Sequence, residues 1–150
     1  MTDPSRQSNQ ISLPDHQIDA LFERAQENRS NSYARYSEFP VGSVVTTSLG
    51  QVFDGCSVEN GSFGLTLCAE RSALSAAIAG GFDPGSDVRI EQVVIAGPDN
   101  TSCPPCGACR QWISELAAGS VVSFWWDGKL ISVAASALTP FTYTYVRPNI

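Results

Sequence analysis

The sequence predicts an α/β fold, a three-layer α/β/α sandwich with a mixed central sheet. Short runs rich in β-branched and apolar residues alternate with amphipathic segments long enough for helices. Glycine and proline fall between these runs as turn signals, with neither repeats nor an internal linker. The 150 residues, 43% hydrophobic and 16% charged, suit one core. A Ser/Gln/Asn-rich stretch over 1–12 is expected to be a flexible tail, and 13–150 a single domain.

Each element has its own signal. Ser12 offers an N-cap and Asp15 a first-turn acid. Ile18, Leu21, Phe22 and Ala25 then share one face, so 14–28 reads as an amphipathic helix. His16, the one histidine, lies apart from every other reactive group and reads as a solvated first-turn residue. An aromatic-rich loop over 33–40 precedes two strands, 41–47 and 52–56, joined around Leu49-Gly50. Irregular backbone near Asn60-Gly61-Ser62 and Gly64 leads into a second helix over 68–79, stopped by Gly80-Gly81. An apolar strand over 93–96 passes through Gly97-Pro98 and a proline-rich loop into a third helix, 106 to about 118. Strands 121–126 and 130–134 form a hairpin on Asp127-Gly128, the residues a type I′ turn favours. A last short helix is expected over 136–138.

Charge and cysteine content narrow the function classes. Fifteen acidic against nine basic residues give a net charge of −6. That sign argues against a nucleic-acid partner, whose phosphates demand cationic contacts, and disfavours a phosphorylated substrate. The first residues lack a signal-peptide apolar core and no apolar run has membrane-spanning length, so a cytoplasmic protein without a membrane partner is expected. Five cysteines, an odd number, fit reduced thiols and metal ligation better than a disulfide framework.

Three of those cysteines carry the chemistry. Cys68-Ala69-Glu70 is followed by Pro105-Cys106-Gly107-Ala108-Cys109. The three-residue step puts Cys106 and Cys109 on one helical face, and helix N-termini favour thiolates. Three thiolate ligands suit zinc and leave its fourth tetrahedral position open, as catalytic sites require. Glu70 is too near Cys68 in sequence to be a convincing fourth ligand, and it is well placed to take a proton from water there. Arg71 is placed to hydrogen-bond the ligand sulfurs and draw off some of their charge. Other uses of these thiols compete. Cys103, Cys106 and Cys109 have the spacing of an iron–sulfur run, but Ile113 stands where the fourth cysteine belongs. A closed four-thiolate zinc could recruit Cys56 or Cys103, which otherwise read as a buried strand thiol and a loop thiol. A thioredoxin-like pair lacks its βαβ context.

The Cys-x-Glu and Pro-Cys-x-x-Cys pair is the signature of zinc nucleobase deaminases. The chain further resembles the small homotetrameric zinc cytidine deaminases over about residues 33–116. The resemblance rests on Tyr36-Ser37-Glu38-Phe39-Pro40-Val41-Gly42, Gly55-Cys56-Ser57-Val58-Glu59-Asn60, Cys68-Ala69-Glu70-Arg71 and Pro105-Cys106-Gly107-Ala108-Cys109-Arg110-Gln111. It implies that Cys68, Cys106 and Cys109 bind Zn2+ and that Glu70 shuttles protons to the pyrimidine ring nitrogen and the departing amine. It also implies substrate contacts from Phe39, from Glu59 to the ribose 3′-hydroxyl, and from the Ala69 backbone to the base. Phe63 matches a residue that reaches into a neighbouring subunit's pocket, within a homotetramer.

Departures from the family pattern bear on the substrate. Ser57 replaces the usual Asn, Arg35 the usual Pro, and Phe141, followed by Tyr143 and Tyr145, is a candidate lid. The expected function is hydrolytic deamination of cytidine, 2′-deoxycytidine or a modified cytosine nucleoside. The alternatives are deamination of a cytosine-containing antibiotic such as blasticidin S and a non-catalytic zinc-stapled interaction domain.

Overall fold

Period-two alternation in the central strands decides which helix lies on which face. In the computed structural model, which describes residues 15–145, Val44 and Val94 face one helix, α1 (Asp15–Asn28), with its buried Ile18, Phe22 and Ala25. Their neighbours Val45, Val93 and Ile95 face the other way, onto α2 (Ala69–Ala79) and α3 (Gly107–Leu116) through Ala73, Leu74, Ala77 and Ile113. Helices therefore cover both faces, giving the three layers expected. Phe22 stacks on Trp125 with ring centroids 5.8 Å apart, extending the α1 layer across this face towards the strand that carries Trp125.

The strands are β1 (Gly42–Thr47), β2 (Val52–Cys56), β3 (Ile90–Ala96), β4 (Val121–Trp126) and β5 (Lys129–Ala134). They lie in the order β2-β1-β3-β4-β5. Only β3 and β4 pair in parallel, joined through α3, and the other pairs are antiparallel. The sheet is thus mixed. Both residues of the Asp127-Gly128 turn have positive φ, 48° and 78°, as a type I′ hairpin demands. After α2 the chain reverses as expected at Gly80-Gly81, and the Phe82 N–H closes the helix end on the Ala77 carbonyl at 2.9 Å.

Several boundaries differ from those read in the sequence. α2 and α3 each begin one residue later, because Cys68 and Cys106 have extended backbone and stand as N-caps. α3 stops at Leu116, since Ala117 turns out of the helix with φ −142°. β3 starts at Ile90, three residues early: Glu91 and Gln92 hid the strand signal, while pairing with β1 and β4 on either side enforces it. The expected last helix is one 3₁₀ turn, Ala135–Ala137. The tail at 1–12, the Ser12 cap, the Pro14 helix start and the His16 side chain lie outside the described residues.

One polar cluster ties α1 to the edge strand. Arg24 Nε and Nη2 donate to the two Asp54 oxygens at 2.8 and 2.7 Å, and Asn28 Nδ2 adds a third bond at 2.8 Å. Hydrogen bonding from Arg24, then from Asn28, holds the Asp54 carboxyl below its ordinary 3.8. A depressed carboxyl contributes stability above its unfolded value and loses it as pH falls through the folded one. Both side chains are nearly half exposed, so Asp54→Asn should cost less than about 1 kcal/mol near neutral pH. In denaturant unfolding the wild-type advantage should shrink as the pH drops below about 4. An advantage that grew on acidification would contradict this.

Candidate metal centre and active site

Three thiols converge where two helices begin. Cys68 caps α2, Cys106 caps α3, and Cys109 lies in the first turn of α3. Their Sγ atoms all lie within 4.8 Å of one another, with Cys68 and Cys106 3.7 Å apart. A tetrahedral zinc with bonds of about 2.3 Å sets its sulfurs roughly 3.8 Å apart, so that edge is already formed. The helices meet because β2 runs close beneath α2. A Cβ at Gly55 would collide with the Ala69 carbonyl and the Ala73 backbone nitrogen, so only glycine lets the start of α2 seat there. Cys109 is buried, Cys68 half-buried and Cys106 exposed, so the group opens to solvent on one side.

The electrostatics ask for a cation. Hydrogen bonds from the Cys109 thiol first, then from Arg71 and Cys106, push Cys68 down to about 5, so it is a thiolate near neutral pH. Cys109 is driven the opposite way by its bond to Cys68, by burial and by the Glu70 carboxylate. The three sulfurs cannot share negative charge freely until a positive ion joins them, and a set of three cysteine donors is one that zinc takes. Arg71 Nη2 bonds the Thr66 carbonyl at 2.9 Å and reaches Cys68 Sγ at 3.7 Å. Its place beside the Cys68 sulfur is the one read from the sequence.

Neither Cys56 nor Cys103 joins the group among the described residues. A Cβ built on Gly97 would lie 3.0 Å from Cys103 Cβ and 3.3 Å from the Phe39 ring, which places both along one wall. Burial, then the Glu70 carboxylate, pushes the Cys103 thiol up to about 12 and keeps it protonated. Cys56 Sγ lies 3.5 Å from the Asn31 carbonyl, and burial raises its pKa. The closed four-thiolate site and the iron–sulfur run therefore do not form here.

Glu70 stands in the first turn of α2, 4% exposed. Burial, followed by the Cys68 charge, raises its carboxyl to about 7 in the metal-free chain. A carboxyl in that range can both take and give a proton at neutral pH. Ala69, immediately before it, is fully buried.

The remaining expected site residues sit on loops, except Phe63, which opens a 3₁₀ turn, Phe63–Leu65. Glu59 Oε2 accepts the Tyr36 N–H at 2.7 Å and the Ser37 N–H at 3.3 Å, and Oε1 accepts the Ser37 hydroxyl. Ser57 is buried; its hydroxyl accepts the Val41 N–H at 3.1 Å and bonds Ser32 Oγ at 3.2 Å. That hydroxyl is engaged inside the loop. Arg35 lies over the Tyr36 ring at 5.8 Å, and its Nη1 donates to the Tyr33 hydroxyl at 3.4 Å. Phe63 is 73% exposed and meets Tyr36 edge-on, while Phe141 is 97% exposed among the described residues.

Two contributors escaped sequence reasoning. Ser37 bonds Glu59, a pairing across 22 residues that no local pattern announces. Arg110 bonds the Pro105 carbonyl at 2.8 Å and the Leu138 carbonyl at 3.3 Å, bracing the Cys106 loop against the C-terminal segment. Its place directly after Cys109 was the available hint.

Known proteins match this arrangement. The family described as the cytidine and deoxycytidylate deaminase zinc-binding region matches residues 15–124, spanning the thiol cluster and Glu70. A cytidine deaminase of Halalkalibacterium halodurans is 36% identical over 128 residues, covering 83% of this chain and 92% of the relative. A blasticidin-S deaminase of Bacillus cereus is 30% identical over 107 residues, covering 69% and 76%. Among solved structures, a cytidine deaminase from Burkholderia pseudomallei superposes with a TM-score of 0.76 at 38% identity, covering 87% of this chain and all of the other.

Proposed function

The chain belongs to the cytidine and deoxycytidylate deaminase family, and on that premise we propose that it deaminates cytidine or 2′-deoxycytidine, including modified cytosine nucleosides. It is a zinc-dependent hydrolase. The observation that carries the deaminase reading is a solvent-opened cluster of three thiols with a buried carboxyl, poised near neutrality, two residues from the first.

Cys68, Cys106 and Cys109 would hold the zinc, which would supply Lewis acidity that brings the pKa of water towards neutrality. Glu70 takes the proton of the attacking water and delivers it to the pyrimidine ring nitrogen beside C4. A C–O bond forms at C4 and the C4–amine bond breaks. Glu70 carries the second proton of that water, from the oxygen now bonded to C4, to the departing amine, which leaves as ammonia, and the uridine form remains. Three thiolates donate charge that weakens a Lewis acid, and Arg71 offsets this by drawing density from the Cys68 sulfur. Phe39 packs on the substrate, the Ala69 backbone reads the base and Glu59 accepts a sugar hydroxyl. With the Ser57 hydroxyl engaged by Val41 and Ser32, the sugar contact falls to Glu59.

A homotetramer with shared sites supplies the missing walls. Tyr36, Phe63 and Leu65 form an exposed apolar surface beside the Glu59 loop, suited to burial against a second copy, whose pocket Phe63 enters. Phe141 acts as a lid in that assembly. All five cysteines are free thiols, as suits the cytoplasm. A net charge of −6 speaks against a nucleic-acid partner.

A substrate panel tests the reading. The zinc-loaded protein is given cytidine, 2′-deoxycytidine, sugar- and base-modified cytosine nucleosides and blasticidin S, and ammonia is measured. Turnover of the nucleosides should exceed that of blasticidin S. The reverse order would assign the antibiotic as substrate, and zinc binding without ammonia from any of them would leave a structural staple.

A further inference from the structure

We infer that Ser37 is a positioning residue for sugar recognition, fixing the Glu59 carboxylate so that one acceptor site faces the substrate. This rests on the reading that Glu59 accepts a sugar hydroxyl.

Glu59 is a side chain with several rotatable bonds on an irregular loop, and left alone it would sample many rotamers. Here both of its oxygens are held. Oε2 accepts two backbone N–H groups, from Tyr36 and Ser37, and Oε1 accepts the Ser37 hydroxyl. The direction of that last bond is set by its neighbour. Ser37 Oγ accepts the Phe39 N–H at 3.1 Å, so the single hydroxyl proton is left to point at Glu59. An ionised carboxylate offers about four lone-pair sites. Three are occupied, and among the described residues the fourth, on Oε1, takes no donor and is open to one. A carboxylate accepts only, so the matching group is a donor, a role a sugar hydroxyl fills.

The loop bears a local cost for this arrangement. Glu38, between the two residues that hold the network, has φ 56°, a left-handed conformation that a non-glycine residue adopts at a penalty of about 1 kcal/mol or more.

Steady-state kinetics on the zinc-loaded full chain, with cytidine and 3′-deoxycytidine, separate the two claims. For the wild type, KM should be lower for cytidine; equal KM values would overturn the role of Glu59. For Ser37→Ala, the cytidine KM should rise about tenfold, the size of one lost charge-assisted hydrogen bond. Its kcat and its KM for 3′-deoxycytidine should stay near wild type, and Ser37→Thr should restore the cytidine KM. An unchanged cytidine KM in Ser37→Ala, or an equal rise for both substrates, would overturn the role of Ser37.

Discussion

Glu70→Gln will keep its zinc and lose cytidine turnover by roughly 10²–10⁴-fold, the range a positioned acid–base group contributes. Glutamine preserves the size of the side chain and can still hydrogen-bond, but it cannot carry a proton between water, ring nitrogen and amine. The substitution spares the thiol cluster, because the three sulfurs that would hold the metal belong to Cys68, Cys106 and Cys109. It also spares the fold. Burial already pushes the Glu70 carboxyl up to about 7, so the metal-free chain holds this group largely neutral below that pH, and a neutral amide removes the charged state that burial disfavours. Zinc content and melting temperature should therefore match the wild type while kcat collapses. A variant retaining a tenth or more of the wild-type kcat would show that another group moves the proton.

Stripping the metal will abolish turnover and loosen the junction of two helices. The thiols come from the caps of α2 and α3 and from the first turn of α3, so the ion joins segments 38 residues apart in sequence. Without it, Cys68 carries the negative charge while burial and its neighbours keep Cys109 from ionising. A ligand bound only to the folded chain at a thousand times its dissociation constant adds about 4 kcal/mol of stability. For a chain of this length that corresponds to roughly 10 °C in Tm. Calorimetry before and after chelation should show this drop, with recovery on adding zinc. An unchanged Tm would mean that the metal contributes nothing to the fold.

Much of this was legible because the relevant physics is local. Alternation in 41–47 and 121–126, the Asp127-Gly128 turn and the Gly80-Gly81 stop each act over a few residues. The thiol cluster was legible for a similar reason: Cys106 and Cys109 lie one helical turn apart, and Glu70 two residues from Cys68. What escaped was set by distant partners. β3 begins at Ile90 because β1 and β4 flank it, although Glu91 and Gln92 read as a break. Cys68 and Cys106 became caps rather than helical residues, a one-residue change that depends on how each chain segment enters its helix. The Ser37–Glu59 bond and the engagement of Ser57 with Val41 and Ser32 join loops that only the fold brings together. The contacts proposed to set the sugar pocket are of this kind, which is why the reaction was easier to read than its substrate.

Titrating zinc into metal-free protein while following ammonia release from cytidine tests the central claim most directly. Three thiols, one open position and one proton-carrying carboxyl predict no ammonia at zero zinc, a rise in proportion to bound zinc, and a plateau at one ion per chain. A chain that fills with zinc and leaves cytidine intact, or that deaminates it equally well without metal, would contradict the account.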